Sequence, residues 1–184
     1  TAFMAQEKSI VDEAFPGDII GLHDTGNLKI GDTLTENENI KFQGIPYFSP
    51  ELFRYVKNLS PMKSKQLNTG LKQLCEEGVA QLFTRIHDSR KIVGVVGALQ
   101  FDVIQYRLTH EYKAQCQFEN LNFIKAVWIN GNKDDLDDFM RNVANQIATD
   151  ENGNYVYLAE TQWSLDREIK ENPTITFDFS SNII

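Results

Sequence analysis

Apolar residues between positions 51 and 118 recur with a period that switches between two and about 3.6, the signatures of strand and helix. "ELFRYVKN" alternates and is rich in large residues, which predicts a strand over 51–57. In "SPMKSKQLNTGLKQLCEEG", Leu67, Leu71, Leu74 and Cys75 form one buried stripe, with Lys65 and Lys72 on the far side. Ser60 is the expected N-cap, Pro61 suits the first helical position and Gly78 the C-terminal cap. "VAQLFTR" and "IVGVV" read as strands joined by the turn "HDSRK". A helix over 98–111 is expected to bury Leu99, Phe101, Val103, Ile104 and Leu108, leaving Asp102, Gln105 and Thr109 as a polar stripe. "AQCQFE" closes the series as a strand. The order is β-α-β-β-α-β, a ferredoxin-like unit.

The flanks follow other rhythms. Residues 1–45 carry turn signals at short intervals, in "AFPGDII" and "DTGNLKIGDTL", and residues 2–5 read as a strand, so the segment predicts part of a β-barrel. After residue 118 come a strand in "NFIKAVWI", a helix over "NKDDLDDFMRNVANQIA" with Leu136, Phe139, Met140, Val143 and Ile147 on one stripe, a strand in "YVYLAE", a helix in "TQWSLDREIKEN" and a strand in "TITFDF". The chain is therefore expected to be α+β. A ferredoxin-like core (about 51–118) with an α/β extension (about 119–184) makes up a C-terminal domain over 46–184, preceded by an incomplete barrel segment over 1–45. No internal repeat is visible in the sequence.

Charge adds a pattern that the total of −8 conceals. Residues 1–50 hold 3 basic and 8 acidic residues, 51–118 hold 10 and 6, and 119–184 hold 5 and 12. The reversal suggests one face able to meet an anion. Its candidates are Arg54, Lys57, Lys63, Lys65 and Lys72 around the first helix of the C-terminal domain, with the turn bearing Arg85, Arg90 and Lys91 as an extension. Arg54 and Lys57 differ in parity, so a regular strand sends them to opposite faces.

Candidate chemistry is sparse. Gly94 and Gly97 stand at a strand-to-helix turn, where many proteins hold phosphate. The spacing lacks the longer glycine loop and the Lys-Ser or Lys-Thr pair of a P-loop, and Ala98 and Leu99 occupy that pair's place. The bland reading is that Gly94 permits close packing in a strand and Gly97 starts a helix. Asp134, Asp135, Asp137 and Asp138 lack EF-hand spacing and suit a first helical turn. Cys75 and Cys116 read as buried thiols of a reducing compartment. His23, His87 and His110 lack ligand spacing. No apolar run reaches the roughly 20 residues of a membrane helix. The first residue is Thr1, which suggests a piece of a longer chain. No catalytic, cofactor-binding or metal-binding residue is expected.

Three blocks carry a family resemblance: "EAFPGDIIGLHDTGNLKIGDTLTE", "FQGIPYFSPELFRYVKNLSPMKSKQLNTGLKQLCEEGVAQLF" and "IVGVVGALQFDVIQYRLTHEY". In order and spacing they resemble the C-terminal part of the bacterial peptide chain release factor 3 family. The later segment agrees more loosely, and the middle block and the G-x-x-G-x-L-x-x-D block also resemble, more distantly, the third domain of elongation factor G. The resemblance implies a cytoplasmic, ribosome-associated GTPase that promotes dissociation of class-I release factors. This chain would hold the end of its barrel domain and its C-terminal domain. GTP and Mg²⁺ would belong to the full-length parent, whose P-loop, switches and guanine-specificity motif are missing from these residues. The chain itself would not be an enzyme and would contact the small ribosomal subunit, its rRNA and protein. The competing readings are a stand-alone RNA-binding module and a small-molecule regulatory module. An RRM-type module needs exposed aromatics on its central strands, where "IVGVV" has none and "VAQLF" offers only Phe83. The regulatory reading rests on fold analogy alone.

Overall fold

The computed structural model describes residues 12–23, 28, 32–36 and 47–181. The expected strand at 2–5 and the turns around Gly26 and Gly31 lie outside them. Within 12–36, Phe15 to Asp18 form a tight turn. The Asp18 N–H donates to the Phe15 carbonyl at 3.0 Å, and Gly17 has φ +99, the positive value a Pro-Gly turn demands at that position. The apolar side chains Phe15, Ile19, Ile20, Leu22 and Leu34 are exposed.

From residue 47 the elements are β1 (Tyr47–Phe48), β2 (Leu52–Asn58), α1 (Ser64–Glu76), β3 (Gln81–Arg85), β4 (Lys91–Val95), α2 (Leu99–His110), β5 (Cys116–Asn120), β6 (Lys125–Asn130), α3 (Lys133–Asn142), β7 (Ile147–Thr149), β8 (Tyr155–Ala159), α4 (Gln162–Glu171), β9 (Thr176–Asp178) and β10 (Ser180–Ser181). A short 3₁₀ turn, Pro61–Lys63, leads into α1. Ser60 does not cap through its side chain. The Asn58 side chain takes over, accepting the Ser60 N–H at 2.8 Å and donating to Ser64 Oγ at 2.8 Å. Gly78 does end α1, with φ +73, the Gly78 N–H on the Cys75 carbonyl and the Val79 N–H on the Leu74 carbonyl, a Schellman motif.

The main sheet has the order β5-β2-β4-β3-β7-β8-β6-β9, every neighbouring pair antiparallel, and β1 pairs with β10 beside it. Strands β2 to β5 reproduce the ferredoxin-like order. The segment expected as an extension repeats it: β6-α3-β7-β8-α4-β9 has the same succession of elements and the same strand order read from the opposite end. The two units join through their second strands, β3 and β7, with Thr84 opposite Thr149 and Arg85 opposite Ala148. Strand β7 corrects an expectation, since the helix projected to residue 148 ends at Asn142 and its last apolar positions, Ile147 and Ala148, are strand.

Each unit's helices cover one face of its own sheet. Leu67, Leu71, Leu74, Phe101, Ile104 and Leu108 pack on Leu82, Val93 and Val95. Leu136, Phe139 and Leu165 pack on Val127, Ile129, Ile147 and Tyr157. A third core joins the opposite faces: Phe53, Tyr55, Phe83 and Ile92 of the first unit with Ala126, Trp128, Val156 and Leu158 of the second. In a flat sheet β2 and β6 would lie about 24 Å apart at five strand spacings. The Phe53 ring nevertheless lies 6.3 Å from that of Phe123, just before β6, and Phe83 lies 6.3 Å from Trp128. The sheet therefore curls at the β3–β7 junction and stacks its helix-free faces, giving the layers helix, sheet, sheet, helix. This is why β3 and β4 read as unbroken apolar runs: Phe83 and Ile92 face the inter-sheet core while Leu82 and Val93 face the helices.

Helix α2 corrects a second expectation. Phe101, Ile104 and Leu108 are buried, but Leu99 is 79% and Val103 50% exposed. These two form a separate outer stripe with Tyr106, 62% exposed.

Candidate functional site

The glycine turn turns two of its donors inward. The Val96 and Gly97 N–H groups both donate to Gln100 Oε1, at 3.0 and 2.8 Å. Gly94 is there for packing: a Cβ would meet Pro50 at 2.6 Å and Phe83 at 3.0 Å. The expected thiols are buried and free. Burial pushes the Cys116 thiol up to about 11 and that of Cys75 higher still, the latter with help from Glu151 and Glu76. Among the described residues no group of three or more His, Cys, Asp or Glu side chains is placed to hold a metal ion, and no helix is long and apolar enough to cross a membrane. Asp134 and Asp135 lie in the first turn of α3, where Asn132 accepts the Asp135 N–H at 2.9 Å.

The eight candidate cations divide into groups. Arg54 points to the helix side of β2 and lays its guanidinium 4.2 Å over the Phe101 ring. Lys57, on the other face as its parity requires, pairs with Glu119 at 3.2 Å. Arg85 and Arg90 meet at the β3–β4 hairpin around Asp88 and Tyr55. Arg90 Nε donates to Asp88 Oδ2 at 2.6 Å, with its guanidinium 4.0 Å over the Tyr55 ring. Arg85 donates to the Tyr55 hydroxyl and to the Asn145 carbonyl, the latter at 3.0 Å. Its side chain is only 13% exposed, so it fastens the two units together. Desolvation alone would raise the Asp88 carboxyl. The hydrogen bonds from Arg90, with the charges of Arg85 and Arg90, outweigh it and hold the group below the usual carboxylate range.

Lys91 donates to Thr84 Oγ1 at 2.7 Å, and Lys72 lies 3.8 Å from Glu76. Both lysines act on Glu151, whose carboxyl is nonetheless held above its usual range by burial and by Glu76. This end of α1 is thus of mixed charge. The other end is different. Lys63 Nζ donates to the Lys113 carbonyl at 2.8 Å, Lys113 Nζ donates to the His110 carbonyl at 2.8 Å, and His110 Nδ1 donates to the Tyr106 carbonyl at 2.8 Å. Lys65, exposed in the first turn of α1, stands two residues beyond Lys63. The nearby carboxylate Glu111 is drawn off: it pairs at 2.8 Å with Arg107, which also reaches Glu77 at the far end of α1. The Arg107 contact holds the Glu111 carboxyl below its usual range.

Sequence reasoning named Lys63 but not Tyr106, His110 and Lys113, which a run of hydrogen bonds joins to it. The available signal was their spacing of four and three residues along and just beyond α2, easily read as an ordinary solvated helix face.

Comparison with known families gives two adjoining matches. Residues 1–37 match elongation factor G domain 2, and residues 42–168 match the class II release factor RF3, C-terminal domain. The second match spans more than two thirds of the chain, including both ferredoxin-like units up to α4. The chain belongs to the class II release factor RF3 family and carries its C-terminal domain.

Proposed function

We propose that this chain is the ribosome-contacting C-terminal part of a translation termination factor that promotes dissociation of class-I release factors in a GTP-dependent way. The observation that carries the reading is the pair of family matches in one chain, a translation-factor domain over 1–37 followed by the release-factor domain over 42–168. The chain is part of a translational GTPase factor. GTP and Mg²⁺ are assigned to the parent's own GTPase domain, because these 184 residues contain no phosphate-cradling loop followed by Lys-Ser or Lys-Thr. The role of this part is to hold the factor on the small subunit, in the cytoplasm, in a position coupled to nucleotide state.

The fold supports this reading over an RRM-type module. The sheet face on which such a module stacks bases is the one buried between the two units, and Phe83, its one aromatic candidate in "VAQLF", is fully buried. Contact with RNA is left to the outer faces, where Lys63 and Lys65 are exposed, while Lys57, Lys72, Arg85 and Arg90 are in ion pairs with carboxylates of the chain and Lys91 donates to Thr84 Oγ1.

The test is co-sedimentation of the chain with purified small ribosomal subunits across a salt series. Binding is expected, with a log–log salt slope that falls by roughly 0.7–0.9 for each phosphate contact removed in Lys63→Ala and Lys65→Ala. Absence of binding at low salt would reject the reading.

A further inference from the structure

We infer that the stacked rings of Tyr106 and His110 form a platform for an unpaired nucleobase of RNA, with the ammonium groups of Lys63, Lys65 and Lys113 receiving the flanking phosphates. The inference deepens the ribosome-contact reading above and rests on it for the source of the RNA.

The geometry is that of a prebuilt stacking surface. The ring centroids of Tyr106 and His110 are 4.0 Å apart with 24° between their planes, on the outer side of α2. The His110 Nδ1 bond to the Tyr106 carbonyl fixes the imidazole in this position. Tyr106 is 62% exposed, so the pair is available without moving any core residue. A rigid exposed aromatic loses little freedom on binding, and every base offers it a π-face.

The charges beside the rings select the ligand class. Lys113 and Lys63 are each tied by one hydrogen bond into the chain His110–Lys113–Lys63, which leaves two of the three donors on each ammonium free for an anion. The carboxylate next to the rings that would repel a phosphate, Glu111, is paired with Arg107. Asp102, one turn back along α2, bounds the platform on the side away from the lysines. An aromatic face next to paired cations is the arrangement that holds single-stranded RNA, in which an unstacked base and its own phosphates are presented together. A purely acidic protein surface would use the lysines and leave the rings idle.

The experiment measures binding of the chain to octa-adenylate and to an abasic strand of the same length, which carries the same phosphates without bases. Folding of each variant is checked by circular dichroism. The wild type is expected to prefer the strand with bases by about fivefold or more, the size of one base–aromatic stack. Tyr106→Ala should abolish the preference and Tyr106→Phe keep it, while Lys113→Ala should weaken binding to both strands alike. Equal binding of the two strands, a preference that survives Tyr106→Ala, or no binding of either would overturn the platform. The sedimentation test stands apart. Subunit binding without a base preference leaves the ribosome reading in place and rejects the platform. A base preference without subunit binding does the reverse.

Discussion

Arg85 in the first unit grips Asn145 in the second through two donors, Nε on the main-chain carbonyl at 3.0 Å and Nη2 on the side-chain oxygen at 3.3 Å. The same guanidinium also reaches the Tyr55 hydroxyl and, at 3.4 Å, the Asp88 carboxylate. One side chain thus ties the hairpin, β2 and the turn before β7 at the point where the sheet curls. Arg85→Ala removes the contacts to Tyr55, Asn145 and Asp88 at once, the first of them partly buried, and is expected to destabilise the fold by about 1–3 kcal/mol. Arg85→Lys should recover only part of this, because an ammonium cannot reproduce the planar fork. Urea unfolding checks both, and a loss under about 0.5 kcal/mol would contradict the fastening role.

Gly94 in β4 and Gly97 in the turn that follows should respond differently to one added methyl group. Gly94→Ala drives a Cβ into the Pro50 ring and Phe83, neither of which is the free end of a flexible chain, and a loss of about 1–3 kcal/mol is expected. At Gly97 the nearest atom would be 3.9 Å away, so Gly97→Ala should lie within about 0.5 kcal/mol of the wild type. Thermal melts of the pair decide it.

Stability should fall in alkali through the two thiols. Burial raises both above the ordinary range, so the folded state favours the protonated form. Their contribution is complete below the unfolded value of about 8.5 and is lost as pH climbs, until Cys116 ionises in the folded state near 11. The slope is at most about 1.4 kcal/mol per pH unit for each thiol. Urea midpoints across this range should flatten in Cys116→Ala relative to the wild type, and parallel curves would show that the thiol is not the linked group.

Helix α2 offers a direct contrast between its two apolar stripes. Phe101 is 1% exposed and Leu99 is 79% exposed, two positions apart. Phe101→Ala is expected to cost about 3–5 kcal/mol, while Leu99→Gln should change stability by less than about 0.5 kcal/mol. Comparable losses at the two positions would mean that the outer stripe is also packed.

Much of this architecture was legible in the sequence because local rhythm fixed it. The Leu67–Cys75 stripe, the Gly78 cap and the strands around Phe83 and Val93 all appear where spacing placed them. Strand β7 was not legible, since Ile147 falls four residues after Val143 and continues the helical stripe of α3. Pairing with β3, more than 60 positions earlier, and with β8 after it shows it to be a strand. The second ferredoxin-like unit was hidden for a related reason: topology repeats while residues do not. For the cations, spacing gave direction and not partners. It set Lys65 and Lys72 on the outer side of α1, but that Lys63 serves the Lys113 carbonyl and Arg85 joins two units depends on contacts 50 and 60 residues apart.

The doubled sheet has a consequence for how the protein is made. Chain synthesis runs from β2 towards β9, so the first unit is complete while its neighbour is not. Until β7 and the strands beyond it exist, Phe53, Tyr55, Phe83 and Ile92 lie on an uncovered slab, and the edge of β3 has no partner. At about 5–20 residues per second, the stretch from Asn120 to Asp178 occupies roughly 3–12 s, a window in which the nascent chain is most prone to stick to others. The second unit closes that window from within the same molecule, by covering the slab and pairing the edge in one folding event.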